Sequence, residues 1–137
     1  LCTAAQVCAI ITDKHNRLIS TGYNGPPAGF PHHGEPCDVW CGRRAGGDPQ
    51  NSYGDSVLFC PAVHAEANAL LSGDRSRWEG GTMYVIKHPC QDCCKLIANS
   101  GIDRLVVRPV NETPPDHHSY QTYDFLEKCG VTVEVFE

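Results

Sequence analysis

Metal-binding side chains stand beside a carboxylate in the middle of the sequence. His64 is followed by Ala65 and Glu66, and farther along the chain Cys90 and Cys93 are three residues apart. Two thiols at this spacing fall on one face of the first turn of a helix, whose positive dipole end favours thiolates. One imidazole and two thiolates form a three-ligand zinc set that leaves the fourth tetrahedral position for water, as in catalytic sites.

Glu66 gives this set a chemical role. Zinc lowers the pKa of bound water to roughly 7, so hydroxide is present at neutral pH. A nearby carboxylate can take up the proton and deliver it to a leaving group, which is worth about 10²–10⁴-fold in rate. Each part has a simpler interpretation: His64 could be structural, and the thiols could be a redox pair or half of a closed zinc site. Their combination favours a catalytic zinc.

Composition limits the class of protein. The chain has 137 residues, 41% hydrophobic and 20% charged, so we expect one domain over residues 1–137 and no membrane span. The net charge of −5 favours a small-molecule substrate over a polynucleotide. Nine cysteines, seven histidines and no secretory leader favour metal binding in a reducing compartment, the cytoplasm, over a disulfide framework.

The periodicity of apolar residues predicts the elements that hold these side chains. Strands are expected at residues 7–11, 18–23, 82–86, 105–107 and 131–136. Helices are expected at residues 62–71, with Pro61 in the first turn, at 91–99, with Leu96 and Ile97 on the apolar side, and at 120–128. The first two strands form a hairpin about a turn at residues 13–16, and the later alternation indicates an α/β domain with a mixed sheet.

These motifs resemble the cytidine deaminase superfamily, and within it the deoxycytidylate (dCMP) deaminases. Residues 64–66 and 89–93 match the H-x-E…P-C-x-x-C pattern of zinc deaminases, and residues 19–27 and 95–102 extend the similarity over nearly the whole chain. The resemblance implies a three-layer cytidine-deaminase-like α/β fold with a mixed five-stranded sheet flanked by helices. It also implies that the chain hydrolyses dCMP to dUMP and ammonia, with zinc held by His64, Cys90 and Cys93 and Glu66 as the proton shuttle.

The same resemblance implies contacts to substrate and effectors. Asn24 corresponds to a substrate-contacting asparagine, and the backbone at Ala65 is expected at the pyrimidine edge. Gly22, Tyr23, Asn24 and Gly25 resemble a loop shared with effector binding, which implies dCTP and dTTP as effectors and a homo-oligomer, commonly a hexamer. For Asn24 the alternative is a turn asparagine beside Gly25.

A second, structural zinc is implied by some phage and bacterial relatives. Their ligand positions correspond to Cys2, His33, Cys41 and Cys60, with His32 and Cys37 as substitutes. A closed four-ligand site would pin the long Gly-, Pro- and Cys-rich interval at residues 24–51. Reduced thiols without a metal are the alternative.

The sequence departs from the family pattern near its start. Ala4 and Ala5 stand where many members carry arginines, so we expect another cation, Arg43 or Arg44, to hold phosphate if those arginines do so elsewhere.

Other cysteines and aromatic residues are expected to pack in the core. This expectation covers Cys8, Cys94 and Cys129, and it is favoured over base stacking for Trp40, Tyr120 and Tyr123.

Deamination of dCMP is the leading hypothesis, with two alternatives. Another zinc deaminase of this fold would act on cytidine, cytosine or tRNA adenosine, and the acidic composition counts against the tRNA substrate. A non-catalytic zinc module is an alternative from a different class, and Glu66 counts against it because such a module has no use for that carboxylate.

Overall fold

A computed structural model describes residues 6–30, 60–110 and 117–136 of the chain. The strands and helices follow one another in this order: β1 (Cys8–Thr12), β2 (Leu18–Tyr23), α1 (Ala65–Leu71), α2 (Arg75–Trp78), β3 (Thr82–Val85), α3 (Gln91–Ala98), β4 (Arg104–Val107), α4 (His117–Lys128) and β5 (Thr132–Val135). In the part of the chain so described, every helix is too short or too polar to cross a lipid bilayer.

The strands form one mixed sheet in the order β2-β1-β3-β4-β5. β1 runs antiparallel to both β2 and β3, whereas β3, β4 and β5 are parallel to one another. This five-stranded sheet with its helices confirms the predicted α/β class and the mixed character of the sheet.

The helices pack on the sheet face to which alternate strand residues point. Ile11, Met83, Val85, Leu105 and Val107 are at most 2% exposed on this face. They contact buried residues of the helices, including Ala69, Ile97 and Leu126. Burial of each such side chain contributes about 1.5–3 kcal/mol, so this layer supplies the core that positions α1 and α3.

The predicted turn at residues 13–16 is confirmed, and Asp13 organises it. Its carboxylate accepts hydrogen bonds from the backbone of His15 (2.8 Å) and Arg17 (3.0 Å) and from Nε of Arg17 (2.8 Å). These bonds, led by that from the Arg17 backbone, lower the pKa of Asp13 to about 2. Asn16 takes a left-handed conformation, with φ of 61°, which asparagine tolerates well.

The helix expected from residue 62 begins instead at Ala65, so Pro61 does not lie in its first turn. Val63 forms an antiparallel bridge with Gly25, with N–H to carbonyl distances of 2.8 and 3.2 Å. His64 remains extended, with φ of −65° and ψ of 151°. This pairing to a distant segment holds the backbone out of the helical conformation that the local composition favours.

Some expected core positions are wrong. Cys94 and Tyr123 are buried, but Cys129 is exposed and Tyr120 is 63% exposed. Cys8 is half-buried, and Trp40 lies outside the described residues. On α3, Ile97 is buried whereas Leu96 is 48% exposed, because adjacent helical residues point about 100° apart.

Candidate metal centre and active site

The N-termini of two helices bring the predicted ligands together. His64 occupies the N-cap position of α1, and Cys90 occupies that of α3. The sulfur of Cys90 accepts a hydrogen bond from the backbone N–H of Cys93 at 3.4 Å, which satisfies one donor of the first turn. α3 begins just after β3 ends, so the cluster lies at the carboxyl end of the parallel strands.

The geometry of the three side chains suits zinc. Nδ1 of His64 lies 3.4 Å from Sγ of Cys90 and 3.5 Å from Sγ of Cys93. All three ligand atoms lie within 4.8 Å of one another. Tetrahedral zinc with its usual bond lengths places nitrogen and sulfur ligands roughly 3.5 Å apart. The donor set and its spacing therefore fit a zinc ion bound by three protein ligands.

Hydrogen bonds within the cluster shift the proton affinities of its members. The hydrogen bond from Cys93 lowers the pKa of Cys90 to about 3, and the bond with His64 acts in the same direction. The pKa of Cys93 is raised by its hydrogen bond with Cys90 and by burial. The hydrogen bond with Cys90 also raises the pKa of His64. Both cysteines bind a metal ion as thiolates, so metal binding would displace the protons that remain on the pair.

Glu66 reaches the cluster from the first turn of α1. Its side chain is 4% exposed, and Oε2 accepts a hydrogen bond from the thiol of Cys93 at 3.7 Å. Burial raises the pKa of this carboxyl group, so it takes up a proton more readily than a solvated glutamate. A carboxyl group with raised pKa beside metal ligands can carry protons in catalysis.

Gly22 lets α1 approach β2 closely. A Cβ atom at this position would overlap two backbone atoms of α1, the carbonyl oxygen of Ala65 and the amide nitrogen of Ala69. The family resemblance places Gly22 in a loop shared with effectors, and that role stays a prediction. The structure shows that the absence of a side chain at Gly22 allows α1 to pack against the sheet.

Two polar contacts that sequence reasoning missed also attach α1 to β2. The hydroxyl of Ser20 donates to the carbonyl of Ala69 at 2.6 Å, and the side-chain amide of Asn68 donates to the carbonyl of Tyr23 at 2.8 Å. Isolated serine and asparagine residues carry no sequence signal for such long-range contacts. They nevertheless fix the helix that carries Glu66.

Asn24 is 8% exposed and joins the end of β2 to the residue before β1. Its Oδ1 accepts a hydrogen bond from the backbone N–H of Val7 at 2.8 Å, and its own N–H donates to the carbonyl of Val7 at 3.3 Å. These bonds give Asn24 a structural function. Its substrate contact stays a prediction, as do those at the Ala65 backbone.

Sequence reasoning also missed a contact between His88 and Tyr123, which holds the segment that precedes Cys90. Nδ1 of His88 forms a hydrogen bond with the hydroxyl of Tyr123, and the two rings lie 5.8 Å apart. This contact links the segment before α3 to α4. Nothing in the sequence spacing pairs these residues.

The ligands expected for a second zinc fall mostly outside the described residues. Cys60 is described and half-buried. The remaining candidate ligands lie outside the described residues: Cys2, His32, His33, Cys37 and Cys41. The cations expected to hold phosphate, Arg43 and Arg44, also lie outside them. The second zinc therefore stays a prediction.

Three zinc-type ligands beside a buried carboxyl group, at the carboxyl end of parallel strands in a mixed sheet, are the parts of a catalytic zinc site. Comparison with known proteins gives the particular family. Residues 1–108 match the family model described as the cytidine and deoxycytidylate deaminase zinc-binding region.

Individual proteins that resemble this chain belong to the same family. The deoxycytidylate deaminase of Mycobacterium phage D29 is 44% identical over 106 residues, which cover 77% of this chain and 79% of that protein. The deoxycytidylate deaminase of Enterobacteria phage T4 is 37% identical over 135 residues, covering 77% and 67% of the two chains. The crystal structure of the dCMP deaminase from cyanophage S-TIM5 in complex with dCMP and dUMP matches with a TM-score of 0.66 and 26% identity, covering 98% and 84%.

The chain therefore belongs to the cytidine and deoxycytidylate deaminase family, as its motifs predicted. Family membership and the three-ligand cluster together confirm the predicted zinc cofactor.

Proposed function

We propose that this chain is a zinc-dependent hydrolase that converts dCMP and water into dUMP and ammonia. One observation carries the proposal: His64, Cys90 and Cys93 form a zinc-sized cluster, and the buried carboxyl group of Glu66 contacts it. The deoxycytidylate deaminases of phages D29 and T4, and the S-TIM5 enzyme solved with dCMP and dUMP, support dCMP as the substrate.

His64, Cys90 and Cys93 would hold the metal, and Glu66 would move protons. Zinc bound there would lower the pKa of water to roughly 7 and so supply hydroxide at neutral pH. Glu66 accepts a proton from the attacking water and delivers it to N3 of cytosine, which makes C4 more electrophilic. After the tetrahedral adduct at C4 has formed, Glu66 takes the remaining proton from the new hydroxyl on C4 and transfers it to the amino group, which leaves as ammonia while the C4 carbonyl forms. The burial that raises the pKa of Glu66 favours this alternation between carboxylate and acid.

Substrate contacts are assigned to residues at the start of α1 and the end of β2. The backbone at Ala65 would contact the pyrimidine edge, and Asn24 would contact the nucleotide. Gly22, Tyr23 and Gly25 would contribute to a loop shared with effectors. The position of Ala65 beside Glu66, together with the packing of Gly22 against α1, supports this assignment.

The family resemblance supports several further parts of the proposal. Residues 1–137 form one domain, the protein acts in the cytoplasm as a homo-oligomer, commonly a hexamer, and dCTP and dTTP regulate it. A second, structural zinc would use the following ligands: Cys2, His33, Cys41 and Cys60.

Replacing Glu66 tests the proposed chemistry. Glu66→Gln removes the proton carrier but keeps the side-chain size, so we expect kcat/KM for dCMP to fall about 10²–10⁴-fold while zinc remains bound. Ammonia release and metal analysis measure the two properties. Glu79→Gln is the matched control, since Glu79 is 65% exposed and pairs with Arg75 on α2. Near-normal turnover by Glu66→Gln would reject Glu66 as the proton shuttle. If the wild-type protein deaminated deoxycytidine or an RNA hairpin but not dCMP, the proposed substrate would be rejected.

A further inference from the structure

The metal ligand His64 lies just before α1, in a segment whose position the helix alone does not determine. Its backbone is extended, with φ of −65° and ψ of 151°, and its Nδ1 faces the thiols of Cys90 and Cys93 at 3.4 and 3.5 Å. A functional site requires its side chains to be held within about 0.5 Å of their working positions. The contacts of the segment before α1 therefore decide whether the ring of His64 meets the two thiols.

The segment before α1 meets the chain just after β2. The N–H of Val63 donates to the carbonyl of Gly25 at 2.8 Å, and the N–H of Gly25 donates to the carbonyl of Val63 at 3.2 Å. This bridge lies one residue before His64 and one residue after Asn24. It therefore joins the segment that carries the metal ligand to the one that carries the predicted substrate contact.

The side-chain amide of Asn68 ties this junction to α1. Its Nδ2 donates to the carbonyl of Tyr23 at 2.8 Å and, more weakly, to the carbonyl of Val63 at 3.4 Å. An amide nitrogen carries two hydrogens, so one side chain can bind the last residue of β2 and the residue before His64 together. Both neighbours are acceptors, which settles the orientation of the amide. The backbone N–H of Asn68 also donates to the carbonyl of His64 at 2.9 Å.

The residue type at this position indicates a contact rather than a contribution to helix formation. The other residues of α1 are alanine, leucine and one glutamate, which are strong helix formers, whereas asparagine is a weak one. The side chain of Asn68 is half-buried and bonds to segments outside the helix. What Asn68 provides is therefore its link to Tyr23 and Val63.

Ser20 attaches α1 to β2 in a different way. Its side chain is buried, and its hydroxyl donates to the carbonyl of Ala69 at 2.6 Å. This bond joins the middle of β2 to the body of α1, and neither partner adjoins His64. Ser20 thus holds the helix on the sheet, whereas Asn68 holds the segment that carries the metal ligand.

We propose that Asn68 is a positioning residue of the metal centre, which keeps His64 at the distance from Cys90 and Cys93 that a shared zinc ion requires. This inference deepens the proposed function and rests on its zinc site, but not on the identity of the substrate. Without the amide, the segment before α1 keeps its bridge to Gly25 but loses its side-chain link to α1. The ring of His64 is then held less firmly, and the metal binds more weakly.

The test measures metal binding by the folded protein, with circular dichroism as the check of folding. Alanine favours the helix, so α1 should persist in Asn68→Ala. We expect this variant to bind zinc roughly 10-fold more weakly in competition with a chelator, because its histidine ligand is less well oriented. The absorption bands of the cobalt-substituted protein, which report ligand geometry, should shift as well. Ser20→Ala is the matched control, and it should lower the melting temperature but keep the zinc affinity and the cobalt spectrum of the wild type.

A purely structural role of Asn68 would change the melting temperature alone. Wild-type zinc affinity and an unchanged cobalt spectrum in Asn68→Ala would therefore overturn the proposal, as would an equal loss of affinity in Ser20→Ala. Failure of Asn68→Ala to fold even with excess zinc would also overturn it, since the side chain would then support the whole fold. If the wild type bound zinc but did not deaminate dCMP, the proposed function would fail, and the metal-binding measurements would still decide for or against Asn68.

Discussion

The burial of Glu66 beside thiol groups is costly for a charged carboxylate. Desolvation disfavours the ionised form, which is why the pKa of Glu66 is raised in the absence of a metal. A divalent cation held by His64, Cys90 and Cys93 would place positive charge next to the carboxylate and favour its ionised form. The residues that bind the metal thus also prepare Glu66 to act as a base.

The side chain of Asn24 can be tested for a contribution to stability, because its Oδ1 accepts a hydrogen bond from the backbone of Val7. Asn24→Ala leaves the N–H of Val7 without this acceptor, so we expect the free energy of unfolding to fall by about 1–3 kcal/mol in urea denaturation. Asn24→Asp keeps an acceptor oxygen and should lose less stability. If Asn24 also contacts the nucleotide through its amide, kcat/KM for dCMP will fall in the Asp variant despite this retained stability. An Ala variant as stable as the wild type would show that the hydrogen bond contributes nothing.

Individual site residues were predictable only where residue type and spacing define a chemistry. His64, Cys90 and Cys93 were found because imidazole and thiol groups at this spacing suit zinc. Ser20, His88 and Tyr123 were missed because their contacts join residues that are distant in sequence. Cysteine type alone also failed to indicate burial, since Cys94 is fully buried whereas Cys129, just beyond α4, is exposed.

At the scale of elements, strands were predicted more accurately than the start of α1. The strand at residues 18–23 has the expected bounds, and the other strand bounds differ from expectation by one residue at most at either end. α1 begins late because Val63 pairs with Gly25, a contact that helix propensity cannot anticipate. α2 was not predicted because its four residues, Arg75–Trp78, are too few to show a helical period. Asp74 caps it by accepting a hydrogen bond from Ser76 at 2.8 Å.

The packing of α1 against β2 leads to a prediction for two glycines that the sequence placed in one loop. A methyl group at Gly22 meets the backbone of α1, which can make room only by moving the helix. We expect Gly22→Ala to cost about 1–3 kcal/mol of stability or more and to weaken zinc binding, because His64 and Glu66 move with the helix. Thermal unfolding and metal analysis measure both effects.

Gly25→Ala is the matched control for this substitution. Among the described residues, a methyl group at Gly25 would meet the ring of Tyr23, at 3.4 Å, an ordinary contact. We expect the Gly25→Ala variant to bind zinc like the wild type and to unfold at a similar temperature. Equal effects of the two substitutions would show that the close approach of α1 and β2 is not what Gly22 provides.

At the scale of the whole molecule, the metal cluster joins segments from separate parts of the chain. His64 belongs to α1, which packs on the hairpin strands β1 and β2, whereas Cys90 and Cys93 belong to α3, which follows β3. Zinc would therefore link the two halves of the layer that covers the sheet. Its binding energy stabilises the folded state, because the unfolded chain does not hold the three ligands together.

Removal of zinc should accordingly destabilise the whole fold. A ligand at 100 times its dissociation constant adds about 2.7 kcal/mol to the free energy of unfolding, which corresponds to a melting shift on the order of 10 °C for a domain of this size. We expect a chelator to lower the melting temperature of the wild type by this order and to leave that of His64→Ala almost unchanged. His15→Ala, at an exposed histidine in the hairpin turn, should respond to the chelator like the wild type. If the chelator lowered the melting temperatures of the wild type and of His64→Ala equally, zinc would not link α1 to α3. The three-ligand cluster would then not be the site through which the metal stabilises this protein.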